Sequence, residues 1–170
     1  MHETYLVDGF NLFHQWPRTA RFFKKRENLP RALARAAALL SAGFKGHKGR
    51  LLLALDGGLS AGKAMLGGLA VHYAGPGNSA DEVILDKVRE AQRPGRYIVV
   101  TDDRTLRGNA HALGARTLTV KRFLGGFRPE KPPLREEDLV PLRKHLAPTP
   151  REVEEWLAIF GQDADEEGEA

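Results

Sequence analysis

Residues 4–11, TYLVDGFN, decide the fold, because an apolar run of strand length ends there abruptly in Asp8. The same pattern returns in LLLALD at residues 51–56 and in YIVVTDD at residues 97–103. A run that is apolar on both faces is typical of a strand covered by helices on both sides, as in a parallel sheet. Parallel strands end at a common carboxyl edge, where ligands bind in open α/β sheets. We therefore expect the aspartates that end these strands to meet in space.

The composition is that of a globular domain with a core of its own. The chain has 170 residues, of which 42% are hydrophobic and 28% are charged. It contains no cysteine, which excludes disulfides, thiolate metal sites and cysteine nucleophiles. No apolar run approaches the roughly 18 residues of a membrane span, and the first residues lack a signal-peptide pattern. We expect a cytoplasmic protein that makes no membrane contact.

The formal net charge of +4 conceals an uneven distribution of charge. Five acidic residues lie among the last eight, whereas the rest of the chain is rich in arginine. A basic body with acidic strand ends favours a polyanionic partner, whose phosphates need both basic side chains and a cation.

Helices and further strands fill the intervals between the three apolar runs. A helix is predicted over residues 30–43, so that strand, helix and strand form one right-handed crossover. The glycine-rich segment 57–68 is predicted to be a mobile loop. The remaining predicted elements are a strand at 69–74, a helix that starts after Ser79, a helix at 104–113 and a strand at 116–120. This alternation predicts an α/β fold with a central, mostly parallel sheet of about five strands.

The chain divides by composition into three parts. Residues 1–125 hold the predicted sheet and form the domain. Residues 126–161 are predicted to be a helical extension packed on the domain, and its last helix, over residues 149–160, begins in a capping box. This extension could cover the sheet, bind a partner or form a dimer face, which leaves a homo-oligomer open. Residues 162–170 form an acidic tail that we expect to be disordered.

Four aspartates are expected at the carboxyl edge of the sheet. Asp8 and Asp56 end the first two strands, and Asp103 follows the third. Asp81 heads the buried stripe of the helix after Ser79, and the amino end of that helix lies at the same edge in a βα unit. Crowded carboxylates raise one another's pKa, so such a cluster is costly unless a cation neutralises it. Oxygen donors favour Mg²⁺ or Mn²⁺, which would support phosphodiester hydrolysis without a protein nucleophile.

Each of these aspartates also has a purely structural interpretation. Asp8 and Asp56 can act as turn formers beside glycine. The Asp81 carboxylate can simply favour the first turn of a helix through the helix dipole. Asp102 and Asp103 can cap the helix that follows them. The coincidence of four acids at one predicted edge favours the metal site over these separate explanations.

Two polar residues near the acids have supporting roles to consider. Asn11 lies one turn past Asp8, where it can hydrogen-bond locally or orient Asp8 and a ligand water. Thr101 can tie the carboxylates in place or be an ordinary strand threonine. The histidines share no metal-ligand spacing, and we interpret them as surface or packing residues.

Two groups of basic residues are candidates for contact with a nucleic-acid backbone. They are Arg18, Arg21, Lys24, Lys25, Arg104 and Arg107. The first group is interleaved with Phe22 and Phe23, so it can be either a solvated face or a nucleic-acid contact.

Four short motifs together resemble the NYN domains, relatives of the PIN ribonucleases. They are VDGFN at residues 7–11, LD at 55–56, SAD at 79–81 and VTDD at 100–103. The likeness is greatest to the bacterial YacP-like branch and runs from about residue 4 to residue 123. It implies a three-layer α/β/α PIN-like fold and an endoribonuclease that depends on Mg²⁺ or Mn²⁺. By motif position the metal ligands would be Asp8, Asp81 and Asp103, with Asp56 a ligand or supporting acid and Asn11 an assisting residue.

One departure from the family pattern concerns the acidic site. Many NYN and PIN sequences carry a further acid two residues after the one that matches Asp103, and this chain has Thr105 there. The site would then use Asp102 as a further ligand, or hold one ion firmly rather than two. The partner that the resemblance implies is RNA, with ribosome-associated messenger RNA among the candidates.

Two other functions stay open. A noncatalytic RNA-binding module would keep the fold and bind RNA without metal. A phosphoacceptor receiver domain also places aspartates at strand ends, but it expects paired acids beside the first strand, where this chain has Asp8 followed by Gly9. We therefore favour the endoribonuclease.

Overall fold

The protein is built on one six-stranded sheet. The computed structural model describes residues 2–24 and 28–126. The strands are β1 Glu3–Asp8, β2 Gly49–Leu55, β3 Gly57–Leu66, β4 Leu69–Gly75, β5 Tyr97–Val100 and β6 Arg116–Leu118. Their order in the sheet is β3-β4-β2-β1-β5-β6, and every neighbouring pair is parallel except β3 with β4. The predicted α/β fold with a mostly parallel sheet is confirmed.

Helices cover both faces of the sheet. They are α1 Gly9–Gln15, α2 Pro17–Lys24, α3 Leu29–Phe44, α4 Ala80–Arg89, α5 Arg104–Ala112 and α6 Val120–Leu124, with a short 3-10 turn at Pro94–Arg96. Residues of α1, α2, α3 and α6 share one core with the sheet, and residues of α4 and α5 share the other. This is the three-layer α/β/α arrangement. Within the described ranges, no helix has the length and apolarity needed to cross a membrane.

The two cores explain why the strands are apolar on both faces. In β1 the side chain of Val7 lies in the core beneath α1 to α3, and that of Leu6 lies in the core beneath α4 and α5. Both side chains are fully buried. Since alternate residues of a strand point to opposite faces, only a continuous apolar run can fill both cores.

The prediction of a mobile loop over residues 57–68 was wrong, because this segment contains β3. The strand pairs antiparallel with β4 through a tight turn at Gly67 and Gly68, whose φ angles are 54° and 82°. Such positive angles suit glycine and the two-residue turns that join hairpin strands. Ala64 and Leu66 pack into the α3 core, so the strand alternates as expected. The density of glycine hid this alternation, and the sheet has six strands where about five were predicted.

Two boundaries differ from the predictions, and capping explains one of them. The last strand ends at Leu118 rather than residue 120, because the Thr119 hydroxyl accepts a hydrogen bond from the Arg122 N–H at 3.3 Å and starts α6. The helix predicted at 30–43 spans Leu29–Phe44, and the Asn28 side chain makes no capping bond. The described residues end at 126, so the predicted helical extension over residues 126–161, except its first residue, lies outside them. The predicted tail at 162–170 lies outside them as well.

Gly9 allows α1 to begin directly against β2. A Cβ atom at this position would lie 2.4 Å from Leu55 Cδ2 and 3.0 Å from the carbonyl oxygen of Ala54. The backbone of Gly9 does not have a positive φ, so the requirement for glycine here is close approach and not turn geometry. The Asp8-Gly9 pair therefore marks a strand that passes straight into a packed helix.

We predict that Gly9→Ala lowers the free energy of unfolding by about 1–3 kcal/mol, because the added methyl overlaps Leu55 and a carbonyl oxygen. The matched control is Gly108→Ala in α5, where a Cβ meets nothing within 4 Å. That change should raise stability by about 0.5–1 kcal/mol, since alanine favours helix. Urea denaturation measures both. Equal stability of the Gly9→Ala protein and the wild type would contradict the packing described.

Candidate acidic active site

The sheet brings four aspartates to one edge. Asp8 is the last residue of β1, and Asp56 follows β2 directly. Asp81 lies in the first turn of α4, just after β4, and Asp103 caps α5, just after β5. These four strands are consecutive in the sheet, in the order β4, β2, β1, β5. The carboxyl edge therefore carries an acid from each of four neighbouring strand ends.

Asp8 is the buried member of the group, with 9% of its surface exposed. Its Oδ1 accepts a hydrogen bond from the Asn11 N–H, and its Oδ2 accepts one from the Thr101 hydroxyl, each at 3.5 Å. Bonds of that length are weak and offset little of the loss of water. Burial, reinforced by the charges of Asp81 and Asp56, raises the pKa of Asp8 to about 7.

Asp81 interacts electrostatically with Asp8 and with the other aspartates of the group. Burial raises the pKa of Asp81, and the nearby charges of Asp103, Asp56 and Glu82 raise it further. Every charge that shifts the pKa of Asp8 or Asp81 is therefore negative. The four aspartates interact as one concentration of like charge, which is the situation that a cation relieves.

Local hydrogen bonds position Asp56 and Asp103. The Oδ1 of Asp56 accepts from the Ala80 N–H at 2.7 Å, which joins the end of β2 to the start of α4. The Oδ1 of Asp103 accepts from the Leu106 N–H at 2.7 Å, so the capping interpretation of Asp103 is confirmed. A capping role uses one carboxylate oxygen, so it is compatible with a second role for the other oxygen.

A capping box fixes the start of α4. The Ser79 hydroxyl accepts from the Glu82 N–H at 3.3 Å, and the Glu82 carboxylate accepts from the Ser79 N–H at 3.0 Å. The pair holds Asp81 in the first turn of the helix. The box is readable in the sequence as S-x-x-E at residues 79–82, a signal that our prediction for this helix does not use.

Asn11 and Thr101 form the support behind the carboxylates. The Asn11 Oδ1 accepts from the Asp102 N–H at 2.9 Å. It also lies 3.4 Å from the Thr101 hydroxyl oxygen, whose single proton is shared between Asn11 and Asp8. The Thr101 hydroxyl in turn accepts from the Asp103 N–H at 3.1 Å, and Thr101 is fully buried. These bonds tie α1 to the loop that carries Asp103. Both residues therefore hold this loop against α1.

Asp102 has a different partner from the other acids. Its Oδ1 accepts from the Val120 N–H at 3.0 Å, at the start of α6. Its charge is also not among the causes that raise the pKa of Asp8 or Asp81. Asp102 thus caps α6 and not α5, the helix that follows it.

The carboxylate oxygens of the four aspartates are the type of ligand that a hard divalent cation prefers. Their concentrated negative charge also favours a cation. In residues 2–24 and 28–126, however, no group of three or more acidic or histidine side chains stands in an arrangement that could hold an ion. Ligation by three of the aspartates therefore requires their side chains to move closer together than they stand.

The predicted RNA-binding residues fall on two helices. Arg18, Arg21 and Lys24 are exposed on α2, and Lys25 lies outside the described residues. Arg104 is exposed and Arg107 half-buried at the start of α5. The amino end of α5 places the last two beside Asp103.

Phe22 is not available for stacking with nucleic-acid bases, because its ring is buried in the core. The guanidinium carbons of Arg21 and Arg35 lie 5.2 Å and 4.4 Å from its ring centroid. Phe23 is partly buried and stacks on Phe13 with centroids 6.0 Å apart. Phe22 therefore holds the two arginines and α2 in place.

Comparison with known proteins gives a consistent result. The model of the YacP-like NYN domain family matches residues 5–144. The crystal structure of Rae1 (YacP) from Bacillus subtilis is similar, with a TM-score of 0.54 and 19% identity over 98% of this chain and 89% of that one. A tryptophan-to-leucine mutant of that protein gives a TM-score of 0.52 and 20% identity over 72% and 75%. At these identities the likeness concerns the fold. No curated protein sequence matches the chain significantly.

We predict that Asp8→Asn stabilises the metal-free protein at neutral and alkaline pH. The pKa of Asp8 is about 7 in the folded protein and about 3.9 when unfolded, so wild-type stability falls as pH rises from about 4 to about 7. The Asp8→Asn protein does not lose this stability. In the wild type the loss of free energy of unfolding is on the order of 4 kcal/mol once the pH is well above 7.

Melting temperatures in EDTA at pH 5 and pH 8 measure the effect. The control is Asp86→Asn, which changes an exposed aspartate on the outer face of α4 paired with Arg89. Its effect should be small and the same at both pH values. A melting temperature of Asp8→Asn below that of the wild type at pH 8 would show that the carboxylate is structural.

We predict that Thr101→Val removes the acceptor for the Asp103 N–H and exposes that amide to exchange. Loss of about 1.4 kcal/mol corresponds to roughly tenfold faster hydrogen exchange. Thr101→Ser keeps the hydroxyl and should keep the protection. Amide exchange followed by NMR reads both variants at Asp103. Equal protection in the valine and serine variants would exclude the positioning role of the hydroxyl.

Proposed function

Because the chain belongs to the YacP-like NYN domain family, we propose that it is a divalent-metal-dependent endoribonuclease that hydrolyses RNA phosphodiester bonds. The observation that carries the proposal is the acidic edge, where a buried Asp8 stands among three further aspartates without a neutralising side chain at that cluster in the described residues. Such an arrangement is unfavourable for stability, which is typical of groups kept for function.

The ion we propose is Mg²⁺ or Mn²⁺, because both prefer carboxylate and phosphate oxygens. Asp8, Asp56, Asp81 and Asp103 would hold it, with Asp102 as a further candidate. A bound divalent cation would polarise the phosphoryl oxygen and lower the pKa of the attacking water. Asp8 contributes a carboxylate fixed at the end of the central strand, where its side chain has little freedom to turn away.

Asn11 and Thr101 would act by holding the backbone of the Asp103 loop against α1, so that closing the site would need only side-chain movement. Support for this role comes from the hydrogen bonds that join Asn11, Thr101 and the Asp102 N–H. Fixed positioning groups are effective because they need no rearrangement during the reaction. Neither residue is proposed to exchange a proton with the substrate.

RNA is the proposed substrate, and basic side chains near the acidic edge would bind its backbone. Arg104 and Arg107 begin α5 next to Asp103, and Arg18, Arg21 and Lys24 are exposed on α2. An RNA chain needs such contacts because the aspartates repel its phosphates until a cation is present.

The alternative is a noncatalytic RNA-binding module with the same fold. Two observations favour it. Thr105 stands where many relatives carry a further acid, and the described side chains do not form a closed set of ligands. A module of this kind would bind RNA in EDTA and cleave it in neither Mg²⁺ nor Mn²⁺.

We predict that Asp8→Asn abolishes metal-dependent cleavage of an end-labelled, mixed-sequence single-stranded RNA. The loss should be on the order of 10³-fold or more, since a metal contributes several kcal/mol to the transition state. Asp86→Asn, on the outer face of α4, is the matched control and should cleave at nearly the wild-type rate. Full cleavage by the Asp8→Asn protein, or no cleavage by the wild type in either ion, would contradict the proposal.

A further inference from the structure

Two lysines and a histidine come together on the flank of α4 that faces β3. Lys63 of β3 is paired directly with His72 of β4, and paired residues of antiparallel strands have side chains on the same face. Lys87 of α4 and Lys63 both lower the pKa of His72, after burial, and Lys63 lowers the pKa of Lys87. We call Lys63, His72 and Lys87 the α4 cationic cluster.

The α4 cationic cluster is not balanced by acids in the part of the chain that the structure describes. There, neither lysine makes an ion pair or hydrogen bond with a carboxylate, and Glu90 is the one acid that raises the pKa of Lys87. Lys63 is exposed and Lys87 is half-buried. Placing like charges together and partly out of water is unfavourable, and an anion would remove that cost.

His72 adds a hydrogen-bond donor to the cluster. Its Nδ1 atom is buried and has no hydrogen-bond partner among the described residues. A neutral imidazole carries one proton, and placing it on Nε2 avoids a buried, unpaired N–H at Nδ1. The Nε2–H is then a donor beside two ammonium groups, a combination that suits a phosphate oxygen.

The cluster lies close to the acidic edge. Lys87 follows Asp81 by six residues in the same helix, which is about 9 Å along the helix axis. His72 precedes Gly75, the end of β4, by three residues. In this layer of the molecule, α5 with Arg104 and Arg107 lies over one side of the sheet, and the cluster lies on the other side of α4.

We propose that Lys63, His72 and Lys87 bind a backbone phosphate of the RNA strand, next to the bond held at the acidic edge. The inference rests on the proposed function and adds a subsite to it. Repulsion from the four aspartates means that affinity for RNA must come from cations beside them, and this cluster supplies two charges and a neutral donor. The strand would then cross the carboxyl edge from α5 toward β3.

The test compares two double variants that remove the same charge. Lys63→Gln with Lys87→Gln removes the cluster, and Lys45→Gln with Lys48→Gln removes two exposed lysines from the loop before β2, at the opposite edge of the sheet. Fluorescence anisotropy with labelled single-stranded RNA, in EDTA over a range of KCl concentrations, gives Kd and its salt dependence.

We expect the cluster variant to bind RNA on the order of tenfold more weakly at low salt. Its slope of log Kd against log salt should fall by about 0.7, since the loss of one phosphate contact to a single strand removes about that amount. The control should stay within about twofold of the wild type. Equal Kd and slope in the two double variants would overturn the subsite.

A second measurement, by NMR, shows whether RNA reaches His72. The NMR signal of the His72 Cε1–H group should shift when RNA is added and stay unchanged with inorganic phosphate at the same phosphate concentration. Equal shifts with inorganic phosphate would overturn the assignment to RNA. If the wild type cleaves RNA and the cluster variant binds RNA with the wild-type Kd, only the subsite is overturned. If the wild type neither binds nor cleaves RNA, the proposed function is overturned as well.

Discussion

Parallel pairing is the constraint on which the rest of this structure depends. Because β4, β2, β1 and β5 run in one direction, the residues that follow them have to share an edge. In this chain an aspartate lies at or shortly after each of these strand ends, and Asp8 is buried at the end of β1. The fold therefore concentrates like charge, and the stability of the two cores has to outweigh that repulsion.

The polar support behind the acids gives the edge its definite shape. Asn11 lies in α1 and Thr101 directly follows β5, yet both bond to the backbone of the loop that carries Asp103. One hydrogen-bond network thus links β1 and β5, and the order of the strands in the sheet reverses between these two. In open α/β folds that point is where ligands bind.

The position of the aspartates at the edge of the sheet could be predicted because strand ends have a local sequence pattern. An apolar run of strand length followed by aspartate indicates both the strand and the residue at which it ends. Strand β3 could not be predicted in this way, since glycines obscured the alternation of Ala64 and Leu66 with exposed residues. The burial of Phe22 and the pairing of Lys63 with His72 depend on contacts between distant residues. Neither is visible in local periodicity, and the same holds for the bond from Val120 to Asp102.

The proposed nuclease depends on the carboxyl edge closing around a divalent ion. This can be measured in a crystal of the protein soaked in Mn²⁺, with data collected at the manganese absorption edge. We expect an anomalous peak within bonding distance of Asp8 and at least one of Asp81 and Asp103, with their side chains drawn together. A crystal that takes up manganese elsewhere and leaves these carboxylates apart would contradict it.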